Sequence, residues 1–199
     1  FASAQAALPY KWEPVEISSQ PEAMADALRR TRIELPERDA SITWKALAEQ
    51  MNEQPQGLCV VNTTADARTL FRLLPEEGRF HLSSRLCPAH RQEKLKRIRE
   101  LLLRGNPCRL VSTQLIEAGV DVDFPIAWRA LGPLDSIIQT AGRCNREGKH
   151  AAPCPVTIFR PAEGGNLPKS YEQIMQITES FLHDRDSSTL HSPATYADY

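Results

Sequence analysis

Two arginines at a fixed spacing are the residues of this chain with the clearest capacity for chemistry. Residues 139–148 read QTAGRCNREG, which places Gln139, Arg143 and Arg146 at fixed offsets around a glycine. An arginine is always charged, and its planar guanidinium fits the oxygens of a phosphate. In phosphoryl transfer, such arginines stabilise the charge of the transition state. The run therefore predicts a site for a polyanion.

A helix predicted over residues 134–146 would position these side chains. At about 100° per residue, Gln139, Arg143 and Arg146 fall on one side of that helix and an apolar stripe falls on the other. The stripe consists of Leu134, Ile137, Ile138 and Ala141. The alternative for two arginines alone is the solvated face of an ordinary amphipathic helix.

Polar residues follow three predicted strands, which cover residues 57–62, 79–83 and 108–113. These polar groups are Asn62, Thr63 and Thr64, then Ser83, Ser84 and Arg85, then Ser112, Thr113 and Gln114. In open α/β sheets, ligands bind beyond the carboxyl ends of the strands. The free N–H groups of a helix that begins at such a point attract phosphate. The alternative for Thr63 is an ordinary helix cap.

Strand-like and helix-like segments alternate along the chain, which is typical of an α/β fold with a mostly parallel sheet and helices on both faces. The remaining strands are predicted over residues 32–35, 126–131 and 155–159. The remaining helices are predicted over residues 23–30, 64–74, 88–105 and 170–183, and from a cap at Ser41 or Thr43 to about residue 52. We expect an irregular N-terminal extension (1–20), the α/β domain (21–162), and a C-terminal helix and tail (163–199).

The composition excludes several classes of protein. The net charge is −1, so any nucleic-acid binding must come from local patches. The apolar runs are too short for a membrane span, and no signal peptide is visible. Five cysteines without a C-x-x-C pair disfavour a disulfide framework and a zinc site, and they favour a reducing cytoplasm with Cys59 and Cys108 in the core. The histidines have no metal-ligand spacing, and a chain that opens with Phe1 is expected to be a fragment.

A second run, VSTQLIEAGVDVD at residues 111–123, precedes the arginine run. The two runs, in this order and this close together, resemble the last two motifs of superfamily 2 helicases. Those motifs lie in the second of two RecA-like motor domains, so the resemblance implies a RecA-like fold and half of an ATP-driven motor. It also implies ATP with Mg²⁺. The first motor domain would hold most of the magnesium contacts, since this chain has no G-x-x-x-x-G-K-[ST] loop and no D-E-x-H box.

The resemblance assigns three residues of the second run to the nucleotide. Gly119 and Asp121 match a Gly-x-Asp signature in which the aspartate approaches the ribose. Glu117 lies between Thr113 and this signature and would couple the nucleic-acid contact to the nucleotide. A carboxylate near a hydroxylated sugar is chemically sensible because it accepts hydrogen bonds. The alternative for Asp121 and Asp123 is a polar turn that ends a strand.

The arginine run has roles implied by the same family. Gln139 would contact the nucleotide or link it to the partner domain. Arg143 and Arg146 would act as arginine fingers on the γ-phosphate.

Contacts to a single-stranded nucleic-acid backbone are implied for residues at the ends of three strands and on the helix that follows one of them. They are Asn62, Thr63, Arg85, Arg91, Thr113 and Gln114. The alternative for the basic helix over residues 88–105 is a charged face in solvent.

A narrower resemblance concerns the CRISPR-associated helicase-nuclease of type I systems. It rests on LGPLDSIIQTAGRCNREG at residues 131–148 and DVDF at residues 121–124, and it covers roughly residues 57–160. Thr140 departs from this branch, which often has arginine there. The family implies a nuclease domain and a first RecA-like domain in the same polypeptide, a guide-RNA targeting complex as a partner, and single-stranded DNA as the track. We expect no ATP hydrolysis from the isolated chain.

Three other interpretations remain open. The first is another superfamily 2 motor, such as an RNA helicase or a restriction-type translocase. The second is a helicase-like module that only docks nucleic acid or protein. The third is an unrelated nucleotide-binding α/β domain, which the lack of a glycine-rich phosphate loop disfavours.

Overall fold

The computed structural model describes residues 17–117 and 119–185, together with residues 190 and 195. Most of the predicted N-terminal extension and most of the tail after Asp184 lie outside the described residues. Within the described part, none of the helices combines the length and the apolar character that a membrane span requires.

A six-stranded sheet forms the centre of the described part, and every strand pair in it is parallel. The strands are β1 (Thr31–Glu34), β2 (Gln56–Val60), β3 (Arg79–Leu82), β4 (Cys108–Ser112), β5 (Ala127–Ala130) and β6 (Cys154–Phe159). Their order across the sheet is β1-β6-β5-β2-β4-β3. The predicted parallel α/β sheet is therefore confirmed, and the carboxyl ends of all these strands lie at one edge.

Helices cover both faces of this sheet. They are α1 (Pro21–Ala27), α2 (Trp44–Asn52), α3 (Thr64–Leu73), α4 (Pro88–Leu103), α5 (Leu134–Ala141) and α6 (Lys169–His183). A short 3₁₀ turn, not predicted from the sequence, covers Gln114–Ile116. Thr43 caps α2, as one of the two predicted caps, by accepting a hydrogen bond from the N–H of Ala46.

The two faces of the sheet bury separate apolar clusters. Successive strand residues point to opposite faces, so Leu58 and Cys59 belong to different clusters. The helices α2 and α3 pack on the face that carries Cys59. The helices α4, α5 and α6 pack on the face that carries Leu58, where Phe181 and Leu182 fix α6. Cys59 and Cys108 are both fully buried, which confirms them as core residues.

The arginine helix is shorter than predicted. It ends at Ala141 rather than at Arg146, and Gly142 occupies its C-cap. The N–H groups of Arg143 and Cys144 bond three residues back, which tightens the chain into a turn. The chain then pairs with Phe124 in an isolated parallel bridge. The apolar stripe is confirmed, but the prediction that both arginines share a helix face with Gln139 is wrong, because this turn and bridge end the helix first.

Candidate functional site

The carboxyl edge of the sheet carries most of the predicted site residues. Asn62 follows β2, Thr113 follows β4, and the segment that includes Gly132 follows β5. Because β5, β2 and β4 are neighbours in the sheet, these three segments meet at the same edge. The edge is therefore where the sequence-predicted contacts are brought together.

A fully buried arginine, Arg129, lies at the centre of this edge. It belongs to β5, and the alternation of side chains points it to the face covered by α4, α5 and α6. Its Nη1 donates to Asn62 Oδ1 at 2.7 Å and to the carbonyl of Ala130 at 2.6 Å. Its Nη2 lies 3.4 Å from Glu117 Oε1.

Glu117, in the second run over residues 111–123, has a buried carboxylate. Its Oε2 accepts a 2.9 Å hydrogen bond from Ser136 Oγ, in the first turn of α5. Burial raises the pKa of Glu117, while the charge of Arg129 and the bond from Ser136 act in the opposite direction. Glu117 therefore faces the protein interior, and its side chain does not extend into solvent.

Asn62 has a side chain committed to internal partners. Its Nδ2 donates to the carbonyl of Leu131 at 2.8 Å, and its Oδ1 accepts from both Arg129 and the hydroxyl of Tyr171. The same hydroxyl accepts from Gln114 Nε2 at 3.1 Å. The C-terminal helix α6 thus places one tyrosine oxygen between two predicted nucleic-acid contacts.

The guanidinium of Arg143 bonds to the backbone of the second run, residues 111–123. Its Nε donates to the carbonyl of Ile116 at 3.1 Å, and its Nη2 donates to the carbonyl of Glu117 at 2.6 Å. Burial and the neighbouring charge of Arg146 lower the pKa of Arg143, while Asp121 raises it. In this structure the guanidinium is satisfied by backbone oxygens.

Arg146 extends from the loop after α5 and is more exposed. Its Nε lies 3.4 Å from Asp121 Oδ1, and 41% of its side-chain surface is accessible. Its own N–H donates to Asp123 Oδ1 at 2.7 Å, and its carbonyl accepts from Arg30. Asp123 thus supports the polar-turn interpretation, whereas Asp121 is exposed beside an arginine.

The loop that carries Arg146 is held in place by a buried asparagine, Asn145. Asn145 adopts a positive φ of 49° and is 1% exposed. Its side chain donates to the carbonyls of Arg30 and His150, and it accepts from the N–H of His150. No role for this asparagine is predicted from the sequence, and the structure shows that it fixes the loop.

The remaining predicted residues are placed singly. Thr63 caps α3 by accepting from the N–H of Asp66 at 3.0 Å, which matches the alternative of an ordinary cap. Gly119 has a φ of 69°, with open space where a Cβ would lie. Within the described residues, no hydrogen bond or ion pair is formed by the side chains of Gln139, Arg85, Arg91 and Thr113.

Sequence reasoning missed three residues that bond to predicted site residues: Arg129, Ser136 and Tyr171. A signal for the first was present, because Arg129 interrupts the otherwise apolar run IAWRAL at residues 126–131. A charged residue in a buried strand requires partners. No comparable signal marks Ser136 or Tyr171, which gain their partners only through tertiary packing.

The part of the chain that the structure describes contains no group of three histidine, cysteine, aspartate or glutamate side chains that could hold a metal ion. The buried cysteines are free thiols whose pKa values are raised by burial, to about 12 for Cys108. Burial makes the thiol beside Arg143, that of Cys144, a packing group.

Comparison with known proteins finds a family for the central part of the chain. Residues 53–149 match the family model described as CRISPR-associated nuclease/helicase Cas3, C-terminal. A CRISPR-associated nuclease/helicase Cas3 from Haloferax volcanii is 46% identical over 65 residues, which are 33% of this chain and 7% of that protein. The Cas3 from Methanothermobacter thermautotrophicus is 26% identical over 143 residues, which are 70% of this chain and 17% of that protein. The chain spans less than a fifth of the length of either relative.

Solved structures share the fold. The crystal structure of T. fusca Cas3 with AMPPNP superposes with a TM-score of 0.62 at 20% identity, covering 88% of this chain and 23% of that one. A chain of a CRISPR RNA-guided surveillance complex, pre-nicking, gives a TM-score of 0.60 at 21% identity, covering 93% of this chain and 26% of that one. The solved structures show a shared fold, and the family match over residues 53–149 supports a Cas3-like second RecA-like domain.

Proposed function

We propose that this chain is the C-terminal motor half of an ATP-dependent DNA helicase or translocase that acts in type I CRISPR interference. The observation that carries the proposal is a continuous set of contacts at the carboxyl edge of the sheet. It runs from Asn62, in the predicted nucleic-acid turn, through Arg129 to Glu117, whose carbonyl holds Arg143. A motor needs such a connection between the nucleic acid along which it moves and the nucleotide that it hydrolyses.

The nucleotide side of the proposal rests on two arginines with different settings. Arg146 is exposed beside Asp121, so it can reach a phosphate that lies between two motor halves. Arg143 must exchange backbone carbonyls for phosphate oxygens, which are stronger acceptors for a guanidinium. In this proposal both arginines stabilise charge on the γ-phosphate, Gly119 and Asp121 approach the ribose, and Gln139 lies on an exposed part of α5 where a partner domain could contact it.

The nucleic-acid side uses the edge formed by β2, β4 and β3. Gln114 is exposed, Thr113 is half-buried, and Arg85 is exposed in the turn after β3. We propose that these three residues, together with Asn62, Thr63 and Arg91, follow a single-stranded DNA backbone. Hydrogen-bond donors and charges of this kind suit phosphates without reading base sequence.

ATP hydrolysis requires residues that this chain does not supply by itself. We propose that a first RecA-like domain holds most of the contacts to Mg²⁺. A nuclease domain in the same polypeptide and a guide-RNA targeting complex complete the proposed machine. The similarity to a chain of a CRISPR RNA-guided surveillance complex supports that partner.

A second candidate function is a helicase-like module that docks nucleic acid or protein without catalysis. The observation that favours it is the state of Arg143, whose guanidinium already has backbone acceptors at 2.6 and 3.1 Å. An arginine with such partners can be purely structural.

The test is the ATPase rate of the polypeptide that carries both motor halves, with and without single-stranded DNA. Arg143→Ala and Arg146→Ala are compared with Arg104→Ala. Arg104 is a matched control because it is exposed at the end of α4, on the side of the sheet where the strands begin. Loss of a finger is expected to lower the rate by on the order of 10³-fold, and the control is expected to leave it unchanged.

The outcomes separate the two candidates. A DNA-stimulated rate that collapses in both finger variants supports the motor. A rate that is indifferent to DNA and to both arginines supports the docking module.

A further inference from the structure

The most unusual buried group outside the predicted site residues is the guanidinium of Arg129. It is fully buried in β5, which lies between β6 and β2 in the interior of the sheet. Burying a charged group is unfavourable unless its partners are well placed. Two of those partners, Asn62 and Glu117, come from segments that the proposed function uses, so the arginine joins parts that are distant in sequence.

We propose that Arg129 is a positioning residue that couples the nucleic-acid turn to the nucleotide side of the motor. The inference rests on the proposed function and extends it to a residue that contacts neither DNA nor ATP. Arg129 holds the amide of Asn62 with one nitrogen and faces the carboxylate of Glu117 with another. A movement of either partner therefore changes the position that the other can adopt.

The nucleotide end of this connection passes through Glu117. Its carboxylate accepts from Ser136, which lies in the first turn of α5, and its backbone carbonyl accepts from Arg143. The residue is thus bonded at both its side chain and its backbone to the segment that carries the proposed fingers. A shift of Glu117 moves the carbonyl that holds Arg143.

The nucleic-acid end has a second attachment. Tyr171 donates its hydroxyl to Asn62 Oδ1 at 3.0 Å and accepts from Gln114 Nε2 at 3.1 Å. Asn62 Oδ1 therefore has two donors, of which one is charged. DNA phosphate that engages Gln114 or the Asn62 turn would compete with these bonds.

The centre of the network is incompletely bonded. Among the described residues, Arg129 Nε, Arg129 Nη2 and Glu117 Oε1 are buried without a hydrogen-bond partner. The two charged groups are 3.4 Å apart, whereas a charge-assisted bond between them would be about 2.8 Å long. An unpaired polar group is costly in the low dielectric of the interior, so a closer approach of the two groups would gain a strong bond.

Gly132 provides the space in which the polar groups of the network pack. A Cβ at this position would lie 2.9 Å from both Arg129 Nη2 and the Tyr171 hydroxyl, and 3.3 Å from Asn62 Oδ1. The three polar groups therefore pack around a backbone that has no side chain. The space needed for the network comes from this glycine.

The experiment uses the polypeptide that carries both motor halves and compares Arg129→Lys with Arg109→Lys. Lysine keeps the positive charge but cannot reach Asn62, Ala130 and Glu117 together with one ammonium group. Arg109 is the matched control because it is a partly buried arginine on the nearby strand β4. Its guanidinium donates to the carbonyls of Met51 and Asn52, away from the proposed site.

The measured quantity is the ratio of the ATPase rates with and without single-stranded DNA. Coupling between two sites typically amounts to about 5- to 150-fold, so Arg129→Lys is expected to lower the ratio by at least about 5-fold. The control is expected to keep the wild-type ratio. A general loss of stability lowers both rates together and leaves the ratio unchanged, so the ratio separates positioning from mere folding.

A preserved ratio in folded Arg129→Lys overturns the inference while the motor proposal stands. A wild-type rate that DNA does not stimulate refutes the motor proposal instead. If Arg129→Lys does not fold, Ser136→Ala decides, since it removes only the hydroxyl that holds Glu117. A lower ratio in Ser136→Ala supports the coupling, and an unchanged ratio overturns it.

Discussion

Replacing Glu117 by glutamine should leave the free energy of unfolding almost unchanged, although Glu117 belongs to a buried ion pair. Glu117 is 8% exposed and its partner Arg129 is 0% exposed. Removing one partner of a buried pair usually destabilises a protein by about 3–5 kcal/mol. We expect Glu117→Gln to change the free energy of unfolding by less than this, within about 1 kcal/mol of the wild type at pH 7.

The magnitude follows from the geometry of the pair. At 3.4 Å, and with an effective dielectric constant of about 20, the attraction is about 5 kcal/mol. Removing two ions from water costs several kcal/mol for each of them. The contact also lacks a hydrogen bond at Glu117 Oε1 and Arg129 Nη2. The attraction therefore does not offset the burial of both charges, which agrees with a raised pKa of Glu117.

Glutamine keeps the shape of the side chain and an oxygen that can accept from Ser136. The substitution removes the charge whose burial is unfavourable, and it weakens one hydrogen bond from charge-assisted to neutral. The substitution also removes the attraction to Arg129. The relieved burial and the lost attraction are each several kcal/mol with opposite signs, and the weaker hydrogen bond costs about 1 kcal/mol.

The assay is urea-induced unfolding of the chain at pH 7. The control is Glu76→Gln, whose carboxylate is 92% exposed and pairs with Arg79 at the surface. We expect the control to change the unfolding free energy by no more than about 0.5 kcal/mol. A loss of 3 kcal/mol or more in Glu117→Gln, with the control unchanged, would refute the reasoning and show that the attraction of Arg129 outweighs desolvation.

Two further predictions concern pH and backbone conformation. Because the folded-state pKa of Glu117 is raised, its contribution to stability is fully present below the ordinary value of 4.5 and is lost as pH rises through the folded pKa. Wild type should therefore lose stability relative to Glu117→Gln over that range in urea titrations at several pH values; an equal slope for both proteins would contradict this. Gly78→Ala should be destabilising by more than Gly105→Ala in thermal unfolding. Both glycines have a φ near +70°, but a Cβ at Gly78 would lie 2.5 Å from the carbonyl oxygen of Pro107 and a Cβ at Gly105 would meet open space. Equal losses would show that backbone strain alone sets the effect.

The sequence predicted the sheet well because each strand is a short apolar run followed by a polar turn. The strand predicted over residues 57–62 overlaps all but the first residue of β2, and the strand predicted over residues 108–113 contains β4. Periodicity alone predicted an arginine helix that is too long. The bridge between Phe124 and Cys144, which follows the observed helix end, joins residues that are twenty positions apart in sequence. Local patterns hold no information about such a pairing.

The candidate site was predicted only in part. Sequence patterns located the polar ends of the strands, but they did not show which side chains point inward. Glu117 proved to be buried, and the half-buried Asn62 is bonded to internal partners, because Arg129 in strand β5 contacts both. That arrangement depends on strand order, with β5 beside β2, and strand order follows from the whole fold.

The contrast between stability and coupling gives the proposed network its sharpest consequence. If the charge of Glu117 does not stabilise the fold, a reason for its position must lie in what it does to its neighbours. Glutamine would keep the bond from Ser136 and the backbone bond to Arg143, but it would not attract Arg129. In the complete motor, Glu117→Gln should therefore lower the DNA stimulation of ATP hydrolysis without lowering stability. A substitution that is silent in unfolding and visible in this ratio cannot act through the fold, so it must act through the link between Arg129 and the proposed fingers.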